Sequence, residues 1–478
     1  MRALQNRLQG RRLVRRWQTR LAPDSRKRQP KGPPSIGKRL RQLVWLWWAW
    51  ATLCIVFIAT NQWGWATATG VLAGVSFLVM PSERPPQFGV EHEFGVSDAE
   101  FLPTMIGATG EMPIAGNHVS VLNNGDEFYP AMLEAIRHAQ QSVTIEAYIY
   151  WNGEIGKEVA TALVERSHAG LPVKILLDAV GSASIGEEIL TLLEAGRCQV
   201  AWYNPTRWYS IGRLNHRTHR KSLIIDGRIA FTGGAGIADH WRGTAQDSEH
   251  WRDIQIRVEG PAARPLQTGF AHNWLQATGE LVSGDRFYPM VAPAGTLSAF
   301  AIMSSPEAGA SSVRTMYYLS IVCARRSIYI ANPYFIPDEV AVAALRDAKR
   351  RGVDVQIMVS GRHNDAWLAR HNSVRLYGSL LREGIVIMEY NRTMLHQKTM
   401  VVDSLWGTVG TTNFDNRSFA HNEENNICVY DAVWASALEE VFQRDARTCD
   451  RIDLETWHRR GAFRKAQEFA AAFLEDQV

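Results

Sequence analysis

One pattern of apolar and polar positions occurs twice along this 478-residue chain. QSVTIEAYIYW (141–151) and RSIYIANPYF (326–335) are both rich in β-branched and aromatic residues, which suits a strand. A helical periodicity follows each. Val159 and Leu163 fall on one face between Gly156 and Ala169, and Ala341, Leu345 and Ala348 do so between Asp338 and Arg351. Gly170 and Gly352 then stand where a helix commonly ends on a left-handed glycine. Strands of the buried type come next, PVKILLDAV (172–180) and VDVQIMVS (353–360). Each copy closes on a second helix, a glycine and a strand: EEILTLLEAG with CQVAWY, and VRLYGSLLREG with IVIMEY. This alternation predicts an α/β fold with mixed sheets flanked by helices. A unit this long, present twice, is a duplicated domain rather than a solenoid repeat, and its copies can pair about a pseudo-twofold axis.

A different pattern precedes the repeat. Residues 43–80 hold no Asp, Glu, Lys or Arg, and Asn61, Gln62 and Gly64 interrupt them with turn chemistry. The stretch is too long for one membrane-spanning helix and suits two short ones. Trp45, Trp47, Trp48 and Trp50 near one end, with Trp63 and Trp65 at the turn, fit interfacial aromatic belts. No small-x-small cleavage site follows a single apolar core, so a removable signal peptide is disfavoured. The expected order is a basic, disordered tail (1–42), a transmembrane hairpin (43–80), a Pro-rich connector (81–116), a first half (117–280), a linker (281–299) and a second half (300–478).

Charge sharpens this division. The net charge of +4 comes from 52 basic and 48 acidic residues, yet fourteen of the basic ones lie before residue 43, opposed only by Asp24. The remainder carries a net −9. A mildly acidic body argues against general nucleic-acid binding, which needs a basic face. The basic tail should stay cytoplasmic, and a hairpin returns the body to that side of a bacterial inner membrane. A single span would put it outside. Five scattered cysteines, with no Cys-x-x-Cys spacing, point to free thiols rather than a disulfide framework or zinc site.

The chemistry lies at matching points of the two halves. His219-Arg-Lys221-Ser-Leu-Ile-Ile-Asp226 and His396-Gln-Lys398-Thr-Met-Val-Val-Asp403 are each followed by glycine-led tracts, GGAG (233–236) and GTTN (410–413). In extended backbone, residues two apart face one side, so each histidine projects with its lysine. Pairing about a pseudo-twofold axis would gather two imidazoles and two ammonium groups in one pocket. The lysines match a phosphodiester's charge and stabilise its transition state. One imidazole can attack phosphorus while the other protonates the leaving alcohol and deprotonates the incoming one. Lysines take the place of a metal in this design, so no metal and no cofactor are expected.

Over roughly residues 115–450 the body resembles the phospholipase D superfamily, and within it the bacterial cardiolipin synthases. FTGGAGIADHW (231–241), WRDIQIRVEGP (251–261) and GTTNFDNRS (410–418) carry the narrower similarity. The resemblance implies a phosphatidyltransferase that works through a phosphohistidine, with His219 as nucleophile and His396 as acid and base. It also implies carboxylates that orient the histidines, for which Asp253 and Glu424 are the candidates. Asp226 and Asp403 complete the motifs and are expected to hold backbone geometry rather than touch phosphate. Asn413 is a candidate substrate contact, whereas Gly236 stands where many members have asparagine. The expected substrates are phospholipids at a membrane, foremost phosphatidylglycerol, with no nucleic acid and no obligate protein partner. Lipid hydrolysis, another headgroup transfer and nuclease activity are the alternatives. The approach to the two histidines also differs in length, with sixteen residues from Tyr203 to His219 against six from Tyr390 to His396. The longer one carries Arg207, Trp208, Tyr209, Ile211 and Arg213, a mixture suited to a lipid headgroup region.

Overall fold

The computed structural model describes residues 47–78, 90, 93–205, 216–305 and 312–471. The basic tail, the ends of the hairpin (43–46 and 79–80), most of the Pro-rich run and the loop bearing Arg207, Trp208, Tyr209, Ile211 and Arg213 lie outside the described residues. The chain forms two compact units, Met1–Met80 and Pro81–Val478.

The first unit contains two helices, α1 (Trp47–Ala59) and α2 (Trp63–Leu78), packed on one another. The turn between them uses Asn61 at φ 60°, a conformation asparagine tolerates. Neither helix has a charged side chain, and Ile55, Val56, Trp65 and Val71 are exposed. At about 1.5 Å per residue they span about 20 and 24 Å. Among the described residues, no helix is long and apolar enough to cross a membrane.

The second unit begins with α3 (Phe101–Thr109) and β1 (Ile114–Asn123). The rest of its first half is α4 (Asn124–Arg137), β2 (Val143–Ala147), α5 (Glu154–His168), β3 (Val173–Asp178), α6 (Glu187–Ala195), β4 (Gln199–Tyr203), β5 (Arg217–Thr218), β6 (Ser222–Ile225), β7 (Ile229–Gly233), β8 (Ile254–Glu259) and α7 (Ala263–Thr278). The second half contains β9 (Leu297–Ser304), α8 (Ser312–Cys323), β10 (Ser327–Ala331), α9 (Glu339–Arg350), β11 (Asp354–Ser360), α10 (Trp367–Leu381), β12 (Val386–Tyr390), β13 (Thr399–Val402), β14 (Trp406–Gly410), α11 (Asn416–Ala420), β15 (Asn422–Tyr430), α12 (Ala432–Ala446) and β16 (Asp450–Ile452). Two short helices, α13 (Leu454–His458) and α14 (Ala462–Ala471), end the described chain.

One continuous mixed sheet joins the halves in the order β16-β12-β11-β10-β13-β14-β15-β9-β1-β8-β7-β6-β2-β3-β4, with β5 paired to β15. Read outward from the antiparallel β9–β1 pair, the two sides match strand for strand, apart from β16. The axis of the repeat therefore passes between β9 and β1. Helices α7 and α12 cover a core that both halves share, with Leu266, Phe270 and Trp274 from one and Trp434, Leu438 and Val441 from the other.

The segment 81–116 is more than a connector in its described part. Phe94, Val96, Phe101 and Met105 are buried in the second half's core, where the Phe101 ring stands 5.3 Å from that of Trp406. The prolines mark its start, but its apolar residues need cover, and the second half supplies it. β1 also begins at Ile114, before the expected boundary.

Candidate active site

Each motif histidine lies in the extended lead-in to its strand, just before β6 or β13, rather than on the strand itself. There the backbone reaches across to the other half. The His219 amide donates to the Glu423 carbonyl at 2.9 Å, and the His396 amide donates to the Arg252 carbonyl at 2.8 Å. Glu423 and Arg252 immediately precede Glu424 and Asp253. These two backbone hooks bring each orienting carboxylate to the histidine of the opposite half.

The side chains complete that crossing. His219 Nδ1 lies 2.9 and 3.0 Å from the two carboxylate oxygens of Glu424, and His396 Nδ1 lies 2.9 Å from Asp253 Oδ2. A carboxylate partner fixes the proton on Nδ1 and leaves Nε2 free for chemistry. Thr411 donates its hydroxyl to Glu424, and Trp241 Nε1 donates to Asp253 at 2.9 Å. Gly234, the counterpart of Thr411, cannot carry a side chain, because a Cβ would come within 2.3 Å of Asp253 Oδ1.

Lys221 and Lys398 are buried beside their histidines. Lys221 Nζ donates to the His219 carbonyl at 2.8 Å and sits 5.1 Å from the Tyr148 ring centre, while Lys398 Nζ lies 3.1 Å from His396 Nδ1. Aromatic rings wall both imidazoles. Tyr148 stands edge-on to His219 at 4.9 Å, and Trp241 and Trp251 stand 5.4 and 5.6 Å from His396. Sequence reasoning passed over Tyr148, Trp241, Trp251 and Thr411. The tryptophans were visible in the tracts that carried the resemblance, but Tyr148 reads as one more core aromatic of a strand.

The remaining candidates are placed as follows. Asp226 Oδ1 accepts the amides of Gln141 at 2.7 Å and Ser142 at 3.0 Å, and Asp403 Oδ1 accepts those of Arg326 at 2.7 Å and Ser327 at 2.9 Å. Both aspartates adopt positive φ (54° and 55°) at the end of the strand remote from the histidine, where they pin the start of β2 or β10. Neither carboxylate is free for chemistry. Asn413 is buried, its amide donates to Ser418 Oγ at 3.2 Å, and its side-chain oxygen has no partner among the described residues. Gly236 has a packing reason, since a Cβ there would stand 2.8 Å from Ile149 Cβ and 2.9 Å from its carbonyl oxygen.

Burial, reinforced by Lys221 and Lys398, drives the His219 pKa well below its ordinary value. His396 is lowered too, by burial and then Lys398, but Asp253 works against the shift. Burial brings Lys221 down to about 7 and Lys398 to about 8. The two carboxylates diverge. Burial lifts Glu424 to about 7, whereas at Asp253 the penalty of burial is outweighed by the His396 hydrogen bond and nearby positive charge, so its pKa is lowered. Among the described residues, no group of three or more His, Cys, Asp or Glu side chains is arranged to hold a metal ion.

Comparison with known proteins identifies the family. The family described as "Cardiolipin synthase, PLD-like domain" matches residues 132–274 and 320–446, a segment in each half. A cardiolipin synthase of Clostridium perfringens is 32% identical over 361 residues, covering 74% of this chain and 75% of that protein. A cardiolipin synthase of Geobacillus thermodenitrificans is 32% identical, covering 73% and 70%. A probable cardiolipin synthase of Bacillus subtilis is 30% identical, covering 75% and 72%. Among solved structures, the phosphatidylserine synthase of Haemophilus influenzae superposes with a TM-score of 0.63 over 79% of this chain and 99% of its own. At 15% identity that likeness concerns the fold. The chain belongs to the cardiolipin synthase family of phospholipase D-like enzymes.

Proposed function

We propose that this protein is a cardiolipin synthase that joins two phosphatidylglycerol molecules, releases glycerol, and holds the phosphatidyl group on His219 between the two steps. The observation that carries this reading is the crossed pair of buried histidines, each set by a carboxylate of the opposite half beside a buried lysine. A phosphodiester entering there draws Lys221 and Lys398 into their charged forms, because an adjacent anion favours the ammonium. His219, neutral through burial and the lysines' field, attacks phosphorus through Nε2. The phosphorus–oxygen bond to glycerol breaks, and that oxygen takes the proton from His396 Nε2. The hydroxyl of a second phosphatidylglycerol then gives its proton to His396 and attacks phosphorus, breaking the phosphorus–nitrogen bond. The ionised Asp253 supports the imidazolium that His396 must form, which favours it as acid and base. The buried Asn413 oxygen, without a partner among the described residues, supports a contact to substrate.

The same reading puts the enzyme at the bacterial cell membrane, attached through residues 43–80, with its body on the cytoplasmic side. What supports it is the charge-free, Trp-rich sequence, its two helices and the basic tail that precedes them. α1 and α2 fall short of the hydrocarbon thickness of about 30 Å, and residues 43–46 and 79–80 extend the apolar stretch.

Purified full-length protein mixed with phosphatidylglycerol liposomes should yield cardiolipin and glycerol by lipid mass spectrometry. Phosphatidic acid without cardiolipin would make it a hydrolase and sink the proposal. His219→Ala and His396→Ala should each abolish transfer, and a trapped phosphatidyl adduct should map to His219. Glu424→Gln and Asp253→Asn should each lower kcat by about a hundredfold or more, as expected when a histidine loses its orienting carboxylate.

A further inference from the structure

A phosphoryl centre between two symmetry-related histidines has two apical positions. One belongs to the nucleophile, and the other, beside His396, belongs to the alcohol that leaves or enters. The two histidines and two lysines obey the pseudo-twofold axis, so groups that recognise the alcohol should break it and lie on the His396 side. Tyr334 and Asp365 meet both conditions. Tyr334 precedes Phe335, which bridges to Phe414; the matching bridge of the first half is Tyr150 to Ile237, which makes Ile149 the counterpart of Tyr334. An isoleucine has no hydroxyl to offer. The half-buried Tyr334 donates its hydroxyl to Asp365 Oδ1 in the loop between β11 and α10. The corresponding loop of the first half, between β3 and α6, has Asp178 at its start, but that carboxylate already receives the amides of Val180, Gly181 and Thr218. Asp365 is exposed, and its Oδ2 has no protein partner among the described residues. Its charge acts on both His396 and Lys398.

A carboxylate whose field reaches His396 and Lys398 opposes anion binding there, so its presence needs a compensating use. Alcohol hydroxyls provide one, since an ionised carboxylate only accepts hydrogen bonds and a hydroxyl donates one. We propose that Asp365, held by Tyr334, selects the alcohol: its free oxygen accepts a hydrogen bond from the hydroxyl adjacent to the reacting one. Vicinal diols such as a glycerol headgroup are thereby favoured over water and monohydric alcohols. The inference rests on the phosphatidyltransferase reading and deepens it, because glycerol leaves in the first step and a glycerol headgroup enters in the second.

The test is a competition within one sample. Full-length protein acts on phosphatidylglycerol liposomes in the presence of deuterated glycerol and deuterated ethanol, and mass spectrometry reads labelled phosphatidylglycerol against labelled phosphatidylethanol. Asp365→Asn should lower that ratio by about tenfold or more, since a site built to bind a hydroxyl discriminates through it. Tyr334→Phe should lower it less and in the same direction. Because both products come from one active pool, partial misfolding cancels from the ratio. An unchanged ratio in Asp365→Asn, including the case where both products fall together, overturns the inference. Wild-type protein that makes cardiolipin while the variant keeps its ratio removes only the role of Asp365. Wild-type protein that makes no transfer product removes the phosphatidyltransferase reading and this inference with it.

Discussion

At Lys221 and Lys398 the same burial that holds a phosphate also makes the site sensitive to pH. The empty site loses its ammonium charges as pH rises through about 7 and about 8. Glu424, lifted to about 7 by burial, gains negative charge in the same interval, so both changes weaken anion binding in the same direction. His219 is already neutral there and contributes nothing. Tungstate, a dianion throughout, should therefore inhibit best near pH 6.5 and weaken steadily to pH 9, by up to about tenfold per pH unit for each titrating lysine. A pH-independent inhibition constant would contradict the burial of these lysines. Gly236 offers a second check. Asparagine there would not restore a missing phosphate contact, because its Cβ would meet Ile149 at 2.8 Å. Gly236→Asn should cost about 1–3 kcal/mol, the usual penalty of overpacking, read as a lower midpoint in urea. The His-x-Lys spacing was legible in sequence because two-residue periodicity is local. The partners of each histidine were not, since 205 residues separate His219 from Glu424 and 143 separate His396 from Asp253.

Among the elements, the crossing of the halves depends on buried ion pairs as well as on backbone hooks. Arg252, whose carbonyl holds the His396 amide, donates from Nε to Asp445 Oδ2 at 2.9 Å and from its guanidinium to Asn123 and Asn124. Asp445 lies in α12 and also accepts from Gln397, the residue between His396 and Lys398. On the other side Arg220, between His219 and Lys221, pairs with Glu423 at 2.5 Å and caps the Gly269 carbonyl at 3.0 Å. Arg252→Ala would strand a buried Asp445 carboxylate and should destabilise by about 3–5 kcal/mol in chemical denaturation. An effect under 1 kcal/mol would show that the pair does not tie the halves. Helices α5 and α9 and strands β2, β3, β10 and β11 follow the sequence patterns closely, because each buries one periodic face or lies wholly inside. That residues 93–109 pack on the second half was not legible for the converse reason: a short apolar segment has no periodicity to show which core will cover it.

At the scale of the whole molecule, the two charge-free helices within 47–78 belong to a different unit from the described part of the body. A reporter fused after Val478 should register a cytoplasmic C-terminus, because a hairpin returns the chain to the side of the basic tail. A periplasmic signal would favour a single span and an outward-facing enzyme. The sequence by itself determined the duplicated α/β unit, the two His-x-Lys pairs and the family, since strand and helix periods and motif spacings are local properties of the chain. Tertiary structure decided that the halves share one sheet about the β1–β9 pair, and that Glu424 serves His219 while Asp253 serves His396. It also decided that Asp226 and Asp403 spend their carboxylates on backbone amides. Those outcomes depend on which distant groups meet once the apolar faces are buried, and on burial moving pKa values by amounts that no spacing encodes.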